Sequence, residues 1–531
     1  MIKEHASLEY WSTVNPSGTA IPCRRVAGVF FAALLAGVML SSVPADAQQQ
    51  QCEKLATLKL SGTSITLAQS VPAGEFTSSG SGGSSQPWFK DLPAFCRVAI
   101  SIKPTNDSDI KVEIWMPASG WNGKFQGVGN GGWSGAINYG ALGSALARGY
   151  ATASTDTGHT GGSGSFALGH PEKLVDFGYR AVHEMTVQAK AIIAAFYGSA
   201  PRHSYWNGCS SGGKQGLKEA QRFPADYDGI IAGAPANYWT HLLTGSMWVA
   251  HATLKDKANY IPPAKYKLIN SAVLEACDTL DGVKDGVIEN PLRCRFDPKV
   301  LECKGEDAAT CLTATQVEAA KRIYAAATNP RTGEEIFPGL EPGSELGWGA
   351  LAGGPNPLSI AADHFKYVVF KDPNWDFKTF NFDRDVALAD KLDNGTINAT
   401  GSNLKPFRAR GGKLIMFHGW NDQLIAPRNS LNYYKSVVAV LGDKKTDDFL
   451  RLFMAPGMGH CAGGPGPNTF DAVTALEQWV EQGNPPDQII ASRSTGGKVE
   501  RTRPLCAYPK VAKYKGTGST DDAANFVCQA P

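Results

Sequence analysis

Apolar and polar residues alternate over residues 97–102 and 110–116, and a short turn rich in Pro, Asn, Asp and Ser separates the two segments. Alternation with a period of two is typical of strands that bury one face. We therefore predict an antiparallel hairpin here. Residues 124–128 and 150–155 are predicted as two further strands, and each of them runs into a polar, glycine-containing segment.

The spacing of the apolar positions becomes helical over residues 175–197, and strands are predicted after this helix at 202–206 and 227–235. The same rhythm of strand and helix resumes near the C-terminus, with elements predicted at 413–417, 449–454 and 472–481. Strands separated by helices are typical of a mostly parallel sheet that is covered on both faces. The predicted fold class is therefore α/β.

Residues 238–405 interrupt this rhythm, because they are rich in Pro, Gly and aromatic residues and contain little alternation of strand and helix. We interpret this stretch as a lid domain inserted into an α/β core. The predicted core then consists of residues 48–237 and 406–531. The aromatic residues of the lid are candidates to line a substrate pocket or to form a core of their own: Trp239, Trp248, Trp348, Trp375 and Phe377.

Residues 1–47 have the features of a secretory signal peptide, since two arginines precede the apolar run 26–40 and Ala45-Asp46-Ala47 forms an A-x-A cleavage site. A membrane anchor is the alternative, but the run is shorter than the roughly 20 residues that a membrane span needs. We predict export to a periplasm or out of the cell, without stable membrane association after cleavage. The net charge of +2 gives no reason to expect a nucleic-acid partner, and the oligomeric state stays open.

The chain has 11 cysteines, and removal of Cys23 with the signal peptide leaves an even number. An even count in an exported protein indicates disulfide bonds rather than free thiols or a zinc site. Connectivity does not follow from the sequence alone, but neighbouring cysteines suggest Cys52 with Cys96, Cys277 with Cys294, Cys303 with Cys311 and Cys506 with Cys528. Cys209 and Cys461 are then left over.

Residues 208–212 have the pattern G-x-S-x-G, the spacing of a nucleophile elbow, in which a tight turn between a strand and a helix exposes a serine hydroxyl. Glycines and serines are also common in surface turns. The predicted strand before this motif and the predicted helix after it favour the elbow. Ser210 is therefore the candidate nucleophile.

A serine nucleophile needs a base to accept its proton and a carboxylate to orient that base. In the fold that uses this elbow, the acid and then the histidine follow late strands. Asp422 and His460 each follow one of the two predicted C-terminal strands, in that order. His418 and His159 compete with His460, but we assign His418 a core or supporting role and His159 either a structural or a pocket-lining role.

The two leftover cysteines are adjacent to these candidates, because Cys209 precedes Ser210 and Cys461 follows His460. A hydrogen-bonded pair of Ser210 and His460 would bring the cysteine Cα atoms within the range that a disulfide needs, about 4.4 to 6.8 Å. Such a bond would hold nucleophile and base together. Two unrelated structural cysteines are the alternative.

The oxyanion that forms on nucleophilic attack needs preorganised N–H donors. One candidate is the backbone of Ser211, directly after the nucleophile. The second is Gly132, with Gly131 as its competitor, in the glycine-rich segment after the third predicted strand. That segment is also compatible with an ordinary turn.

Residues 278–287 place Asp278, Asp281 and Asp285 on a glycine-containing loop. Calcium binds six to eight oxygen ligands, and such a loop supplies carboxylates and carbonyls. The spacing differs from that of an EF-hand, so a solvated acidic turn is an equal alternative.

Together these features resemble the tannase and feruloyl esterase family, which also includes the enzyme that hydrolyses the mono-ester of terephthalate. The resemblance covers nearly all of the mature chain and rests on residues 127–132, 153–159, 208–213, 223–230, 277–287, 418–422 and 457–461. It implies an α/β-hydrolase core with a large inserted lid, a Ser210-His460-Asp422 triad, and five disulfides paired as above. It also implies a structural calcium ion held by Asp278, Asp281, Asp285 and the carbonyls of Val283 and Val287.

The substrate class that the resemblance implies is a small-molecule ester of an aromatic acid. A feruloyl esterase is the first expectation, followed by a tannase and then by a mono(2-hydroxyethyl) terephthalate hydrolase. A secreted, calcium-stabilised binding protein without catalysis is an alternative of another class, which the presence of all three triad candidates in order disfavours. A peptidase on the same fold is a further rival.

Overall fold

The computed structural model describes residues 45–77, 87–133 and 135–531, and these residues form fifteen strands. In chain order the strands are β1 (Thr63–Val71), β2 (Phe95–Ile102), β3 (Ile110–Pro117), β4 (Lys124–Val128), β5 (Ala151–Thr155), β6 (His203–Cys209), β7 (Gly229–Gly233), β8 (Ala327–Thr328), β9 (Glu335–Phe337), β10 (Lys413–Gly419), β11 (Leu450–Ala455), β12 (Gln488–Thr495), β13 (Lys498–Cys506), β14 (Val511–Tyr514) and β15 (Phe526–Gln529). Nine of them form one sheet in the order β1-β2-β3-β5-β4-β6-β7-β10-β11.

The same described residues contain fifteen α-helices. In chain order they are α1 (Ala45–Lys54), α2 (Tyr139–Ala147), α3 (Pro171–Val175), α4 (Ala181–Tyr197), α5 (Ser211–Arg222), α6 (Trp239–Thr253), α7 (Tyr266–Cys277), α8 (Ala314–Tyr324), α9 (Gly349–Ala352), α10 (Ser359–Asp363), α11 (Arg384–Asp393), α12 (Lys405–Ala409), α13 (Arg428–Leu441), α14 (Asp443–Asp447) and α15 (Ala472–Gln482). The helix predicted over residues 175–197 is α4, and a π-helical turn, Asp176–Arg180, precedes it.

The antiparallel end of the sheet consists of β1, β2 and β3. The predicted hairpin is β2 and β3, in which Val98 lies opposite Ile114 and Ile100 lies opposite Val112. All four side chains are buried in the main hydrophobic core, so the sequence alternation marks the inward face. No prediction covered β1, an edge strand whose residues are mostly half-buried or exposed.

The strands of the other half of the sheet run parallel, and the carboxyl ends of β6, β10 and β11 lie along the same edge. Cys209 of β6 pairs with Gly233 of β7, β7 pairs with β10, and Gly419 of β10 pairs with Ala455 of β11. Loops that follow the carboxyl ends of parallel strands meet outside the same sheet edge. The segments with the predicted nucleophile, acid and base therefore leave the sheet side by side.

The segment between β7 and β10 contributes no strand to the nine-stranded sheet in the described chain. Its regular structure consists mainly of helices, and it packs its own hydrophobic cluster, in which Trp239, Met247 and Phe365 are buried. Trp133 and Phe177, which precede β6, belong to the same cluster. The insertion therefore packs directly on the loops that surround the predicted site.

Two C-terminal hairpins, β12 with β13 and β14 with β15, were not predicted. Exposed charged residues interrupt the alternation in β13, so the strand pattern is weak there. The predicted signal peptide lies mainly on residues 1–44, outside the described residues, and α1 begins at Ala45. Among the helices that the structure describes, none is both long and apolar enough to cross a membrane.

Candidate active site

Ser210 lies at the turn between β6 and α5 with φ +63° and ψ −122°. A non-glycine residue in this region is strained and persists only where the surrounding structure holds it. The Ser210 N–H donates to the Gly233 carbonyl at 2.9 Å, and the Ser210 carbonyl accepts from the Ala236 N–H at 3.1 Å. The end of β7 therefore fixes the strained backbone of the elbow.

Gly208 allows the strand and the helix of the elbow to meet. A Cβ at position 208 would lie 2.5 Å from the carbonyl carbon and oxygen of Gly212 and 2.8 Å from its Cα. These atoms belong to the backbone and cannot rotate away. The first glycine of the G-x-S-x-G pattern is thus required by a close approach between β6 and α5.

Asp422 and His460 are joined by a hydrogen bond of 2.7 Å between Asp422 Oδ2 and His460 Nδ1. The other carboxylate oxygen, Oδ1, accepts from the N–H groups of Leu424 at 2.8 Å and Ile425 at 2.9 Å. The Asp422 side chain is fully buried, whereas that of His460 is 14% exposed. The two backbone N–H groups thus fix the buried carboxylate of Asp422, while the imidazole of His460 is accessible from the surface.

His418 is a second imidazole on the same carboxylate. Its Nε2 lies 3.0 Å from Asp422 Oδ2 and 3.1 Å from the Ile425 carbonyl, and its Nδ1 lies 2.7 Å from Ser430 Oγ. Nε2 faces two acceptors and therefore carries the proton, so Nδ1 accepts from the Ser430 hydroxyl. Burial disfavours the charged form of Asp422, but His460 and His418 outweigh it and hold the pKa of the carboxyl well below its ordinary value.

Cys209 and Cys461 form a disulfide with a Cα separation of 6.0 Å, across 252 residues of sequence. This bond joins the residue before Ser210 to the residue after His460. The described residues form no hydrogen bond between the Ser210 hydroxyl and the His460 imidazole. The disulfide, together with the shared sheet edge, is what keeps the two segments adjacent. The other four disulfides are Cys52–Cys96, Cys277–Cys294, Cys303–Cys311 and Cys506–Cys528, the pairs that neighbouring positions suggest.

The glycine-rich segment after β4 is bound to the start of α5. The Ser211 hydroxyl donates to the Gly132 carbonyl at 2.9 Å, and the Gly212 N–H donates to the Asn130 carbonyl at 2.8 Å. Gly132 has φ +53°, a conformation that favours glycine. Gly131, the competing candidate, has no positive φ, and a Cβ added to it would meet nothing within 4 Å. The two predicted oxyanion donors thus belong to segments in direct contact.

His159 contacts the end of this glycine-rich segment through a hydrogen bond. Its Nε2 lies 2.6 Å from the Trp133 carbonyl, and its ring stacks on Phe166 at 3.6 Å. Burial lowers the pKa of this histidine, so the neutral ring donates to the carbonyl. The observed contacts are those of a structural role, one of the two roles expected for His159.

Lys214 was not singled out from the sequence, although it lies one turn after Ser210. It is fully buried, and its Nζ lies 4.0 Å from the centre of the Phe177 ring and 4.8 Å from that of Trp239. Burial, with a contribution from Lys218, lowers the pKa of Lys214 to about 7. A lysine near a helix start is ordinarily exposed, so the sequence holds no signal for this burial.

The acidic loop folds its aspartates around backbone N–H groups. Asp278 accepts from the N–H groups of Asp285 and Gly286, at 3.2 Å and 3.0 Å. Asp285 Oδ2 also lies 2.7 Å from a guanidinium nitrogen of Arg503. Burial, with a contribution from Asp285, raises the pKa of Asp281. Arg501 also lies near Asp285 Oδ2, at 3.4 Å, so the two arginines face Asp285 while Asp281 has no arginine ion pair among the described residues.

The aromatic residues of the insertion divide into two groups. Trp239, Trp348 and Phe377 are buried within its hydrophobic cluster, whereas Trp248 and Trp375 are partly buried and pack at the margin of that cluster. Trp248 Nε1 donates to the Arg322 carbonyl at 2.9 Å. Because Trp239, Trp348 and Phe377 are buried in this cluster, they have a core role.

A partly parallel sheet flanked by helices, with a strained serine at a strand-to-helix turn, defines the α/β-hydrolase class of enzymes. The chain also matches the family model for "Tannase and feruloyl esterase" over residues 96–529. It belongs to the tannase and feruloyl esterase family, whose members are carboxylic ester hydrolases.

Curated relatives align over almost the whole chain. An esterase of Xanthomonas campestris pv. campestris is 40% identical over 543 residues, which cover 93% of this chain and 93% of the relative. A protein of Aspergillus terreus named "Probable feruloyl esterase B-2" is 34% identical over 513 residues, which cover 91% of this chain and 96% of the relative.

Solved structures agree with the family assignment. Feruloyl esterase B from Aspergillus oryzae superposes with a TM-score of 0.85 at 33% identity, covering 91% of this chain and 100% of that structure. Tannin acyl hydrolase from Aspergillus niger superposes with a TM-score of 0.76 at 23% identity, covering 91% and 95%. The second similarity shows the fold alone. The predicted α/β-hydrolase fold is confirmed.

Proposed function

We propose that the chain is a serine carboxylesterase in which Ser210 is the nucleophile, His460 the general base and Asp422 the orienting acid. The observation that carries this proposal is the Asp422–His460 hydrogen bond of 2.7 Å, located where a disulfide joins the neighbours of His460 and Ser210. Catalytic hydrogen bonds are often long in unliganded enzymes and tighten with substrate. We therefore expect a Ser210–His460 hydrogen bond to form in the substrate complex.

The proposed reaction has two stages. Ser210 Oγ attacks the ester carbonyl while His460 Nε2 takes the hydroxyl proton, and collapse of the tetrahedral intermediate transfers that proton to the departing alcohol. Water then attacks the acyl-enzyme, again with His460 as base, and releases the acid and the free serine. The backbone N–H groups of Ser211 and Gly132 would stabilise the oxyanion in both stages. Ionised Asp422 stabilises the imidazolium form of His460.

The proposed substrate is an ester of an aromatic acid, with a hydroxycinnamate ester first. The relatives that are 33% to 34% identical and named feruloyl esterases support this order. Gallate esters come second and mono(2-hydroxyethyl) terephthalate third. A panel of methyl ferulate, methyl gallate and mono(2-hydroxyethyl) terephthalate, with kcat/KM measured for each, decides among the three. Highest kcat/KM on either of the last two would replace the feruloyl assignment.

Replacement of Ser210 by Ala tests the mechanism. Turnover should disappear while the fold and melting temperature are kept, and a fluorophosphonate probe should label the parent protein but not the variant. Full activity in Ser210→Ala would refute the assignment. A parent protein that neither labels nor turns over any ester would instead support the non-catalytic binding protein. Cleavage of matched amides at rates comparable to esters would support the peptidase.

We further propose a structural calcium ion on the acidic loop. Asp278, Asp281 and Asp285 supply carboxylates, and the carbonyls of Val283 and Val287 accept no hydrogen bond from any described residue, so all five groups can serve as hard oxygen ligands. The raised pKa of Asp281 fits a site that a dication would stabilise. When bound, the ion would screen the repulsion between these carboxylates and fix the loop against β13.

We also propose that the mature chain is exported. Five disulfides within the described residues favour an oxidising compartment. The basic and apolar leader with its A-x-A site supports cleavage after Ala47. N-terminal sequencing of the protein recovered from the periplasm or the medium of its host tests this proposal, and an N-terminus before Gln48 would refute cleavage there.

A further inference from the structure

A buried carboxylate without a hydrogen-bond partner lies at the far end of the helix that follows the elbow. Glu219 in α5 is 1% exposed, and neither of its carboxylate oxygens has a hydrogen-bond partner among the described residues. An ionised carboxylate in such a place costs several kcal/mol unless a proton or a cation compensates it. The proposed catalytic site does not use this residue, since Glu219 lies nine positions beyond Ser210, about 13 Å along the helix axis.

Two further metal-binding side chains converge on Glu219. His183 from α4 and Asp226 from the loop after α5 each place one ligand atom so that all three ligand atoms lie within 4.8 Å of one another. His183 Nδ1 and Asp226 Oδ2 are 2.7 Å apart. Asp226 belongs to the segment 223–230, one of those that carry the family resemblance, yet the proposed esterase mechanism does not use it.

We infer that His183, Glu219 and Asp226 form a second metal site, for a first-row transition dication such as zinc or manganese. One imidazole and two carboxylates are a donor set that suits these ions, whereas calcium prefers oxygen ligands alone. Two carboxylates balance the double charge of the ion. The role is structural, because the site ties α4 to the end of α5.

Neighbouring residues fix the orientation of the proposed ligands, and part of the site is exposed to solvent, so an ion can enter. The His183 ring stacks on Phe223 with centroids 3.8 Å apart, which fixes its plane. The His183 side chain is 30% exposed and that of Asp226 12% exposed, so the site opens to solvent on the α4 side. A water molecule at that opening would complete four-coordination.

The competing occupant of this cluster is a proton. Burial, followed by the charge of Asp226, raises the pKa of Glu219 well above its ordinary value, so a protonated Glu219 could donate to Asp226. Lys190 adds a positive charge nearby, since its Nζ donates to the Asp226 carbonyl and burial lowers its pKa. A metal ion displaces the shared proton, and the two states are distinguishable by experiment.

The test is a zinc titration of the full mature chain by calorimetry, after chelation and dialysis into buffer with millimolar calcium. The calcium keeps the acidic loop supplied, so that zinc uptake reports another site. We expect one equivalent of zinc and a higher melting temperature in its presence. Glu219→Gln and His183→Gln should each weaken the affinity at least tenfold, and the same pattern should hold with manganese.

The matched control is His170→Gln. His170 also pairs with an aspartate, Asp107, at 2.7 Å, but its side chain is 49% exposed and belongs to no three-ligand group found in the described chain. Zinc affinity should not change in this variant. Absence of zinc uptake by the parent protein, or equal uptake by Glu219→Gln, would overturn the metal site in favour of the shared proton. His183→Gln provides the same decision if the Glu219 variant fails to fold, and the result is independent of esterase activity.

Discussion

His418 and His460 contact the same carboxylate oxygen, Asp422 Oδ2, at 3.0 Å and 2.7 Å. The two imidazoles differ in their exposure, because His418 is fully buried in β10 and His460 is partly exposed. Asp422 thus has one partner that the proposed mechanism protonates, His460, and a second hydrogen-bond partner, His418, that takes no part in the proposed proton transfer. This second partner lowers the pKa of the Asp422 carboxyl and so helps to keep it ionised.

Replacement of His418 by Phe should lower kcat/KM by about 10- to 100-fold, the value of one hydrogen bond to a charged group. Loss of the N–H donor raises the pKa of Asp422 from its depressed value, so the carboxylate protonates at higher pH and activity on the acid side is lost earlier. A pH–rate profile of the variant measures this shift. His418→Gln, which retains an N–H donor, should recover part of both effects, and a profile identical to the parent in His418→Phe would contradict the role.

Replacement of Gly208 by Ala should destabilise the protein by roughly 1 to 3 kcal/mol, because the added methyl group meets backbone atoms of Gly212 that cannot move aside. Thermal and denaturant unfolding measure the loss. Gly162→Ala is the matched control, since a Cβ there meets nothing within 4 Å and no positive φ opposes it. Equal stability of the two variants would mean that the elbow is looser than its geometry indicates.

Removal of the disulfide by the double substitution Cys209→Ala and Cys461→Ala should reduce kcat/KM by about 100-fold, because a displacement of about 1 Å between nucleophile and base is enough for such a loss. The melting temperature should fall less steeply than the activity. The control is Cys303→Ser with Cys311→Ser, which removes a disulfide between residues 8 positions apart in the insertion. Similar activity losses in both double variants would assign the effect to general destabilisation.

Chelation of calcium should lower the melting temperature and leave the hydrogen bonds around Asp422 intact, because the acidic loop contains none of the proposed catalytic groups. Differential scanning calorimetry of EDTA-treated protein, before and after calcium alone is added back, measures the change, and elemental analysis counts the ion. Asp278→Asn should melt at a lower temperature than the parent in calcium and respond less to EDTA. An unchanged melting curve with no bound metal would favour the solvated acidic turn.

The sequence predicted the parallel half of the sheet well, because its strands are continuous apolar runs that end in glycine-rich or polar loops. Gly229–Gly233 and Lys413–Gly419 are examples, and both are almost wholly buried. The C-terminal hairpins were missed because local pairing, and not an apolar pattern, defines strands such as Val511–Tyr514. The burial of polar side chains was harder to predict than these hairpins.

Within the candidate site, motif and order predicted Ser210, Asp422 and His460 as residues on adjacent loops, since each follows a strand of one parallel sheet. The hydrogen bond between His418 and Asp422 was not predicted, because the position of His418 on the strand indicated only a core or supporting role. The buried amine of Lys214 and the unpartnered carboxylate of Glu219 were invisible, because tertiary packing alone decides whether a charged residue of a helix faces water or the interior.

The Cys209–Cys461 disulfide has a consequence for the integrity of the whole chain. It encloses the insertion, α5, β7 and β10 in one covalent ring, which is closed by two cysteines 252 positions apart in the sequence. A protease that cuts a single exposed loop inside this ring leaves two pieces that stay linked, with Ser210 and His460 on opposite sides of the surviving bond. A chain that is nicked in this way is not divided, and the nick becomes visible on a gel only after reduction.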